Sequence, residues 1–225
     1  MTESSECLEM NCEGLGPEQV AAEIRRQAEL VQEGQTCRLV SLNAESVGVG
    51  AAFETEAAFA VAGSVGDYCC MLNQGADWEV EGDVGHCLGH STHSGRVLVR
   101  GTAGDLVGAF SLGGFVAVLG RAGNFCGYAL DGGEVLIRSV VGDAAGASMR
   151  GGVLVLANGA GEHLGRGMEG GVIFLRGQAK SVADEVRMVR IKDADALRLS
   201  LLLARAGISG DAKEFRLYMP RKKGK

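Results

Sequence analysis

Apolar residues fall in columns that return every 19 positions. One column reads Phe59, Trp78, Val97, Val116, Val135, Leu154 and Ile173. A second, two places on, reads Val61, Val80, Val99, Val118, Ile137, Leu156 and Leu175. Residues two apart share a face of a strand, so each unit is predicted to hold one short strand pointing both columns inward. A small apolar column follows at Val65, Val84, Ala103, Ala122, Val141, Ala160 and Ala179. Between the two inner columns stand Ala60, Glu79, Leu98, Ala117, Leu136, Val155 and Phe174. These should face outward, yet the last five are apolar. A strand apolar on both faces is normally covered on both.

Glycine marks the corners in the same register. GSVG, GDVG, GTAG and GRAG begin at Gly63, Gly82, Gly101 and Gly120. SVVG at Ser139 and NGAG at Asn158 lose the first glycine but keep Gly142 and Gly161. A further glycine recurs at Gly89, Gly108, Gly127, Gly146 and Gly165, and a pair closes most units, from Gly113-Gly114 to Gly170-Gly171. Gly66, Gly85, Gly104, Gly123, Gly142 and Gly161 are expected to be structural turn positions, where glycine supplies φ > 0 without steric cost. A period of this size, held without an indel, is the signature of a stacked repeat.

Strands that recur in one direction pair in parallel, and these connections lack the helical character of a βαβ crossover. The predicted fold is mainly β: a single-stranded, right-handed parallel β-helix of 19-residue turns, stacked at about 4.8 Å, with flanking N- and C-terminal helices. Three regions follow. Residues 1–36 are an N-terminal arm and helix, 37–180 the β-helix with regular repeats over 59–177, and 181–225 a C-terminal helix and basic tail. Residues 1–15 read as irregular. A helix opens at Gly16-Pro17, places Val20, Ile24, Ala28 and Val31 on one face, and stops by Gly34. Residues 37–42 form a strand, and 43–58 a degenerate first coil. Near the C-terminus, Asp193 is a candidate N-cap for a helix over Ala194–Ala206, ended by Gly207. That helix spans about 19–20 Å, and the apolar outer stripe from Leu98 to Phe174 spans about 19 Å. The helix is therefore expected to lie along the stripe, with leucines left over for a partner. Arg221, Lys222, Lys223 and Lys225 read as a solvated end.

Composition narrows the class. The chain has 225 residues, 46% apolar and 22% charged, as in an ordinary folded protein. Its 36 glycines are not in triplets and prolines number only 2, which excludes collagen. A formal charge of −6 argues against a nucleic-acid partner. No stretch reads as a membrane span or a secretory signal, and the seven cysteines form no CxxC pair. Reduced thiols and a cytoplasmic location are expected.

Candidate chemistry is sparse. The glycine turns belong to a structural period, and neither a long helix nor GK[ST] follows them, so a nucleotide loop is not predicted. His86, His90 and His93 cluster in sequence but fall in different columns, and read as surface or interface histidines. Cys69 and Cys126 lie roughly 14 Å apart by rung spacing. Cys69, Cys70 and Cys87 read as packed thiols, and Asp67, Asp105 and Asp143 as corner residues. No catalytic, cofactor-binding or metal residue is assigned, so the chain reads as a scaffold.

The GxxG…G…GG repeat, with GDYCCMLNQGADWEVEGDVG (Gly66–Gly85), GASMRGGVLVL (Gly146–Leu156) and LGRGMEGGVIFLRG (Leu164–Gly177), resembles the C-terminal (GXGXG) β-helix domain of the glutamate synthase large subunit. It is closer to the stand-alone subunit form of that domain, as in N-methylglutamate synthase. The resemblance covers roughly 37–208 and implies a non-catalytic scaffold or coupling subunit of an amidotransferase-type oxidoreductase. The implied partners are a class II glutaminase-like subunit and an FMN-dependent synthase-like subunit, the latter carrying FMN and iron–sulfur. The C subunit of formylmethanofuran dehydrogenase and its formyltransferase/hydrolase relative share the repeat, which gives the alternative. A stand-alone structural or binding protein is a third reading. Tyr68, Asn73, Gln74, Leu98, Leu136 and Phe174 are the candidate interface residues.

Overall fold

A computed structural model describes residues 8–221. Lys222, Lys223, Lys225 and the first seven residues of the arm lie outside it. The chain runs β1 (Leu8–Asn11), α1 (Pro17–Ala28), β2 (Thr36–Val40), β3 (Ala58–Val61), β4 (Asp77–Val80), β5 (Arg96–Val99) and β6 (Leu112–Val118). It continues through β7 (Gly132–Ile137), β8 (Arg150–Leu156), β9 (Gly170–Arg176), β10 (Val186–Val189), α2 (Asp193–Arg205) and β11 (Phe215–Pro220). All eleven strands form one sheet, in order β1 to β9, then β11, then β10.

The fold is a parallel β-helix. From β3 to β9 each strand pairs in parallel with the next, and the pairing reproduces the sequence columns: Phe59, Trp78, Val97 and Val116 stand opposite one another, as do Val61, Val80, Val99 and Val118. The third column forms a second line of contact, with bridges such as Val65 to Val84 and Ala122 to Val141. β2 joins the stack one irregular coil earlier, through Cys37 to Phe59 and Leu39 to Val61.

Both ends depart from the sequence reading. Leu8–Asn11 belongs to the stack: β1 pairs in parallel with β2, so the described part of the arm is not irregular. α1 ends at Ala28, before Gly34, and buries Val20 and Ile24 in the inner core. At the other end β11 runs antiparallel to β9, with Leu217 opposite Phe174, and β10 pairs outside it. β10 precedes α2 and β11 follows it, and neither continues the 19-residue parallel register, so periodicity missed both.

Two cores result. The inner one is filled by the ladders; Trp78 stacks on Phe59 at 4.4 Å between ring centroids. The outer one joins Leu98, Leu136, Val155 and Phe174 to Leu199, Leu202 and Leu203 of α2 and to Phe215 and Leu217 of β11. The helix covers the stripe as its length requires. Arg205 lies over the Phe115 ring at 4.4 Å and reaches Glu134 at 3.3 Å. Asp193 is the first helical residue and not the cap; Asp195 accepts the Lys192 N–H at 3.0 Å. Leu197 and Leu201 remain exposed.

The turn glycines need a different explanation from the one expected. At Gly66, Gly85, Gly104, Gly123, Gly142 and Gly161 φ is not positive. What glycine supplies there is room: a Cβ at Gly123 would overlap the Asp105 carboxylate and stand 2.9 Å from its backbone nitrogen. Left-handed backbone falls elsewhere, at the Gly89 and Gly114 columns and at many non-glycine residues.

The described cysteines are free and buried. Burial pushes the Cys126 thiol up to about 12. Cys70 is raised well above its ordinary value by burial and then by Cys69, whose sulfur lies at 3.5 Å. A thiol whose folded pKa exceeds its unfolded one favours folding fully below the unfolded pKa, near 9, and that contribution is lost as pH rises from 9 to about 12. Thermal midpoints should hold to about pH 8.5 and then fall. Cys126→Ala should flatten the fall, since each such thiol contributes up to about 1.4 kcal/mol per pH unit. A variant whose midpoint falls as steeply as the parent's would contradict the assignment.

Candidate functional site

The outer surface of the rungs carries an aromatic face. Its origin is the left-handed backbone that periodicity did not reveal. Tyr68, Cys87, Leu106, Phe125, Ala144 and His163 occupy one left-handed column. Leu72, Ser91, Phe110, Ala129 and Ser148 occupy another, four places on. For an L-residue this conformation costs roughly 1–2 kcal/mol. Of these residues Tyr68, Phe110 and Phe125 are about 45% exposed, and Leu72 is also exposed. Strained backbone that presents large apolar side chains to solvent is a functional candidate.

The side chains touch across rungs. His90 lies 5.1 Å from Phe110, Phe110 meets Tyr128 edge-on at 5.3 Å, and Tyr128 meets Phe125 edge-on at 6.0 Å, all between ring centroids. Leu72 donates its N–H to the His90 carbonyl at 2.8 Å, which extends the strip one rung toward the N-terminus. Burial lowers the His90 pKa, so the ring favours its neutral form within this apolar strip.

A polar ladder runs beside the strip. Asp67 Oδ1 accepts the His86 N–H at 2.7 Å, and His86 Nδ1 accepts the Asp105 N–H at 2.9 Å. Asp105 Oδ1 accepts the Asn124 N–H at 2.6 Å, Asn124 Oδ1 the Asp143 N–H at 2.8 Å, and Asp143 Oδ1 the Glu162 N–H at 2.7 Å. A corner backbone N–H has no strand partner, and a short side chain with an acceptor satisfies it. His86 thus stands in for an aspartate. His93 turns its Nδ1 to the Ser91 carbonyl, so the three clustered histidines face three different surroundings. Among the described residues no group of three or more His, Cys, Asp or Glu side chains is arranged to hold a metal ion.

The expected interface residues separate. Tyr68 and Gln74 are exposed, Tyr68 in the aromatic column. Asn73 is fully buried; its Nδ2 donates to the carbonyls of Ala76 at 2.9 Å and Ser94 at 3.0 Å, which pins a turn between rungs. Leu98, Leu136 and Phe174 are sealed under α2 and cannot meet another chain. Phe110, Phe125 and Tyr128 were missed, because aromatic residues scattered over three columns make no periodic signal. No helix among the described residues is long and apolar enough to cross a membrane.

No family model and no curated protein matches the chain. Among solved structures it is similar to a chain in the X-ray crystal structure of the formyltransferase/hydrolase complex (FhcABCD) from Methylorubrum extorquens in complex with methylofuran. The TM-score is 0.68 at 20% identity, over 92% of this chain and 87% of that one. At this identity the likeness is one of fold.

Proposed function

We propose that this chain is the β-helix subunit of a multi-subunit complex of the formyl-transferring type, where it positions partner subunits and contributes no reacting group. The observation that carries the reading is the fold likeness, over nearly the whole of both chains, to a chain of a formyltransferase/hydrolase complex. The strip from Leu72 through Phe110 and Tyr128 to Phe125 supplies a surface of the kind a partner covers, an aromatic centre beside a polar margin. The glutamate synthase-like reading rests on the repeat with the stretches Gly66–Gly85, Gly146–Leu156 and Leu164–Gly177, and within the first of them the segment Met71–Ala76 is what favours it over the formyl-transferring alternative. Asn73 and Gly75 have packing roles there: a Cβ at Gly75 would stand 2.7 Å from the Thr55 carbonyl oxygen. That segment therefore weighs less than the whole-chain likeness.

The test is affinity capture of the full-length tagged chain from its own cells, with the bound chains identified. Co-purification with formyltransferase- and hydrolase-type subunits, in stable stoichiometry, is expected. Capture of a flavoprotein with a glutaminase-like chain would replace this reading with the glutamate synthase-like one. A chain that runs alone would point to a stand-alone structural protein. The double variant Phe110→Ser/Tyr128→Ser should cost about 1–3 kcal/mol of stability and leave the chain folded, because Phe110 is 45% exposed, Tyr128 is partly buried and neither fills the inner core. It should release the partner, since buried aromatic anchors carry much of an interface's energy.

A further inference from the structure

On a different corner from the aromatic strip, where each strand leaves the sheet, the repeat breaks its own rule. In the early rungs this corner is glycine because backbone meets backbone. A Cβ at Gly82 would stand 2.6 Å from the Gly63 carbonyl oxygen, and one at Gly120 would overlap that of Gly101. A hydrogen bond ties each corner to the last: Gly101 N–H to Gly82 O at 3.2 Å, Gly120 to Gly101 at 2.8 Å, and Ser139 to Gly120 at 3.3 Å. Among the described residues this run ends at Ser139, and the next corner is Asn158. The ladder of corner bonds therefore stops between the two non-glycine corners, Ser139 and Asn158.

A groove of about 530 Å³ opens there, lined by Thr102, Arg121, Arg138, Ser139, Asn158 and Arg176 together with Leu119 and Gly120. Three guanidinium groups line it and no carboxylate does, on a chain whose formal charge is −6. Two of the arginines are held in place. Arg138 donates Nε–H to the Leu119 carbonyl at 2.7 Å, and Arg176 donates Nε–H to the Ala157 carbonyl at 2.6 Å. Tethered at Nε, each presents its terminal nitrogens end-on, the fork that matches a carboxylate. Arg176 already holds one: its Nη1 lies 3.1 Å from Glu214 Oε2. Arg121 and Arg138 have no such partner among the described residues.

We propose that this groove binds an extended acidic peptide segment of another protein through its carboxylate side chains. The corners at Gly120, Ser139, Asn158 and Gly177 set a length of about 14 Å along the stack, long enough for about four extended residues. The donors are mainly side chains, since most corner N–H groups up to Ser139 are spent on the ladder. Sites built for phosphate more often converge backbone N–H groups into a concave nest. The inference is independent of which complex the chain joins.

Binding of a fluorescently labelled Ser-Glu-Ser-Glu-Ser-Glu peptide to the isolated full-length chain, followed by anisotropy at low salt, tests it. Saturable binding is expected. Arg121→Gln/Arg138→Gln should weaken it at least tenfold with an unchanged circular dichroism spectrum, because both side chains are exposed. Arg190→Gln, a surface arginine outside the groove, should leave it within twofold. Equal losses in both variants would mean diffuse charge attraction and overturn the proposal, as would absence of binding. Inorganic tripolyphosphate provides the second arm: if it binds and the peptide does not, the groove is a phosphate site and the peptide assignment fails.

Discussion

Val118→Asp is expected to abolish the cooperative fold. Val118 is fully buried and stands between Val99 and Ile137 in the inner ladder. A carboxylate there has no cation and no water, so it must fold protonated or not fold. The cost should exceed about 4 kcal/mol, a large share of the 5–15 kcal/mol that holds a typical domain together. Urea denaturation should show a lost or strongly shifted transition. Stability should partly return below about pH 4, where the unfolded carboxyl is protonated as well. Val118→Ile, which adds one methylene and no charge, should cost only about 1–3 kcal/mol. A soluble Asp variant with the parent's midpoint would contradict the ladder.

The second large effect is steric. A Cβ at Gly151 would overlap the carbonyl oxygen of Asp131 and stand 2.8 Å from its carbonyl carbon. Gly113, Gly132 and Gly170 meet the carbonyls of His93, Leu112 and Arg150 in the same way. The obstacle is backbone, fixed by the rung below, and no rotamer change relieves it. Gly151→Ala should therefore cost about 3 kcal/mol or more, at the upper end of overpacking effects. Gly207, beyond α2, has φ +68° and open space around it, and Gly207→Ala should cost only about 1 kcal/mol. Midpoints from chemical denaturation compare the two directly, and similar losses would refute the steric account.

What could be read from the sequence is what repeats. The inner columns, the corner glycines and the outer stripe recur at one period, and the strand pairing follows them residue for residue. The helix on the stripe was also legible, because a length and an apolar surface had to be matched. The closing strand Phe215–Pro220 was not, since it joins the sheet antiparallel after a long excursion. Nor was the aromatic face. Phe110 and Phe125 occupy left-handed positions, which composition assigns to glycine and which only the geometry of the rung reveals. Tyr68 was singled out as an interface residue and is exposed, whereas Leu98, Leu136 and Phe174, named beside it, lie beneath the helix that the same reading had laid along their stripe.

The antiparallel strand at the end of the stack bears on synthesis. As the chain leaves the ribosome, each rung can settle on its predecessor, so ordering proceeds from the first coil onward. The edge of β9 stays open until Phe215–Pro220 emerges, after α2 has passed. For that interval the nascent chain carries a bare strand edge able to pair with another nascent copy. A message truncated between Gly207 and Phe215 would make the interval permanent, and its product should appear as fibres or inclusion bodies.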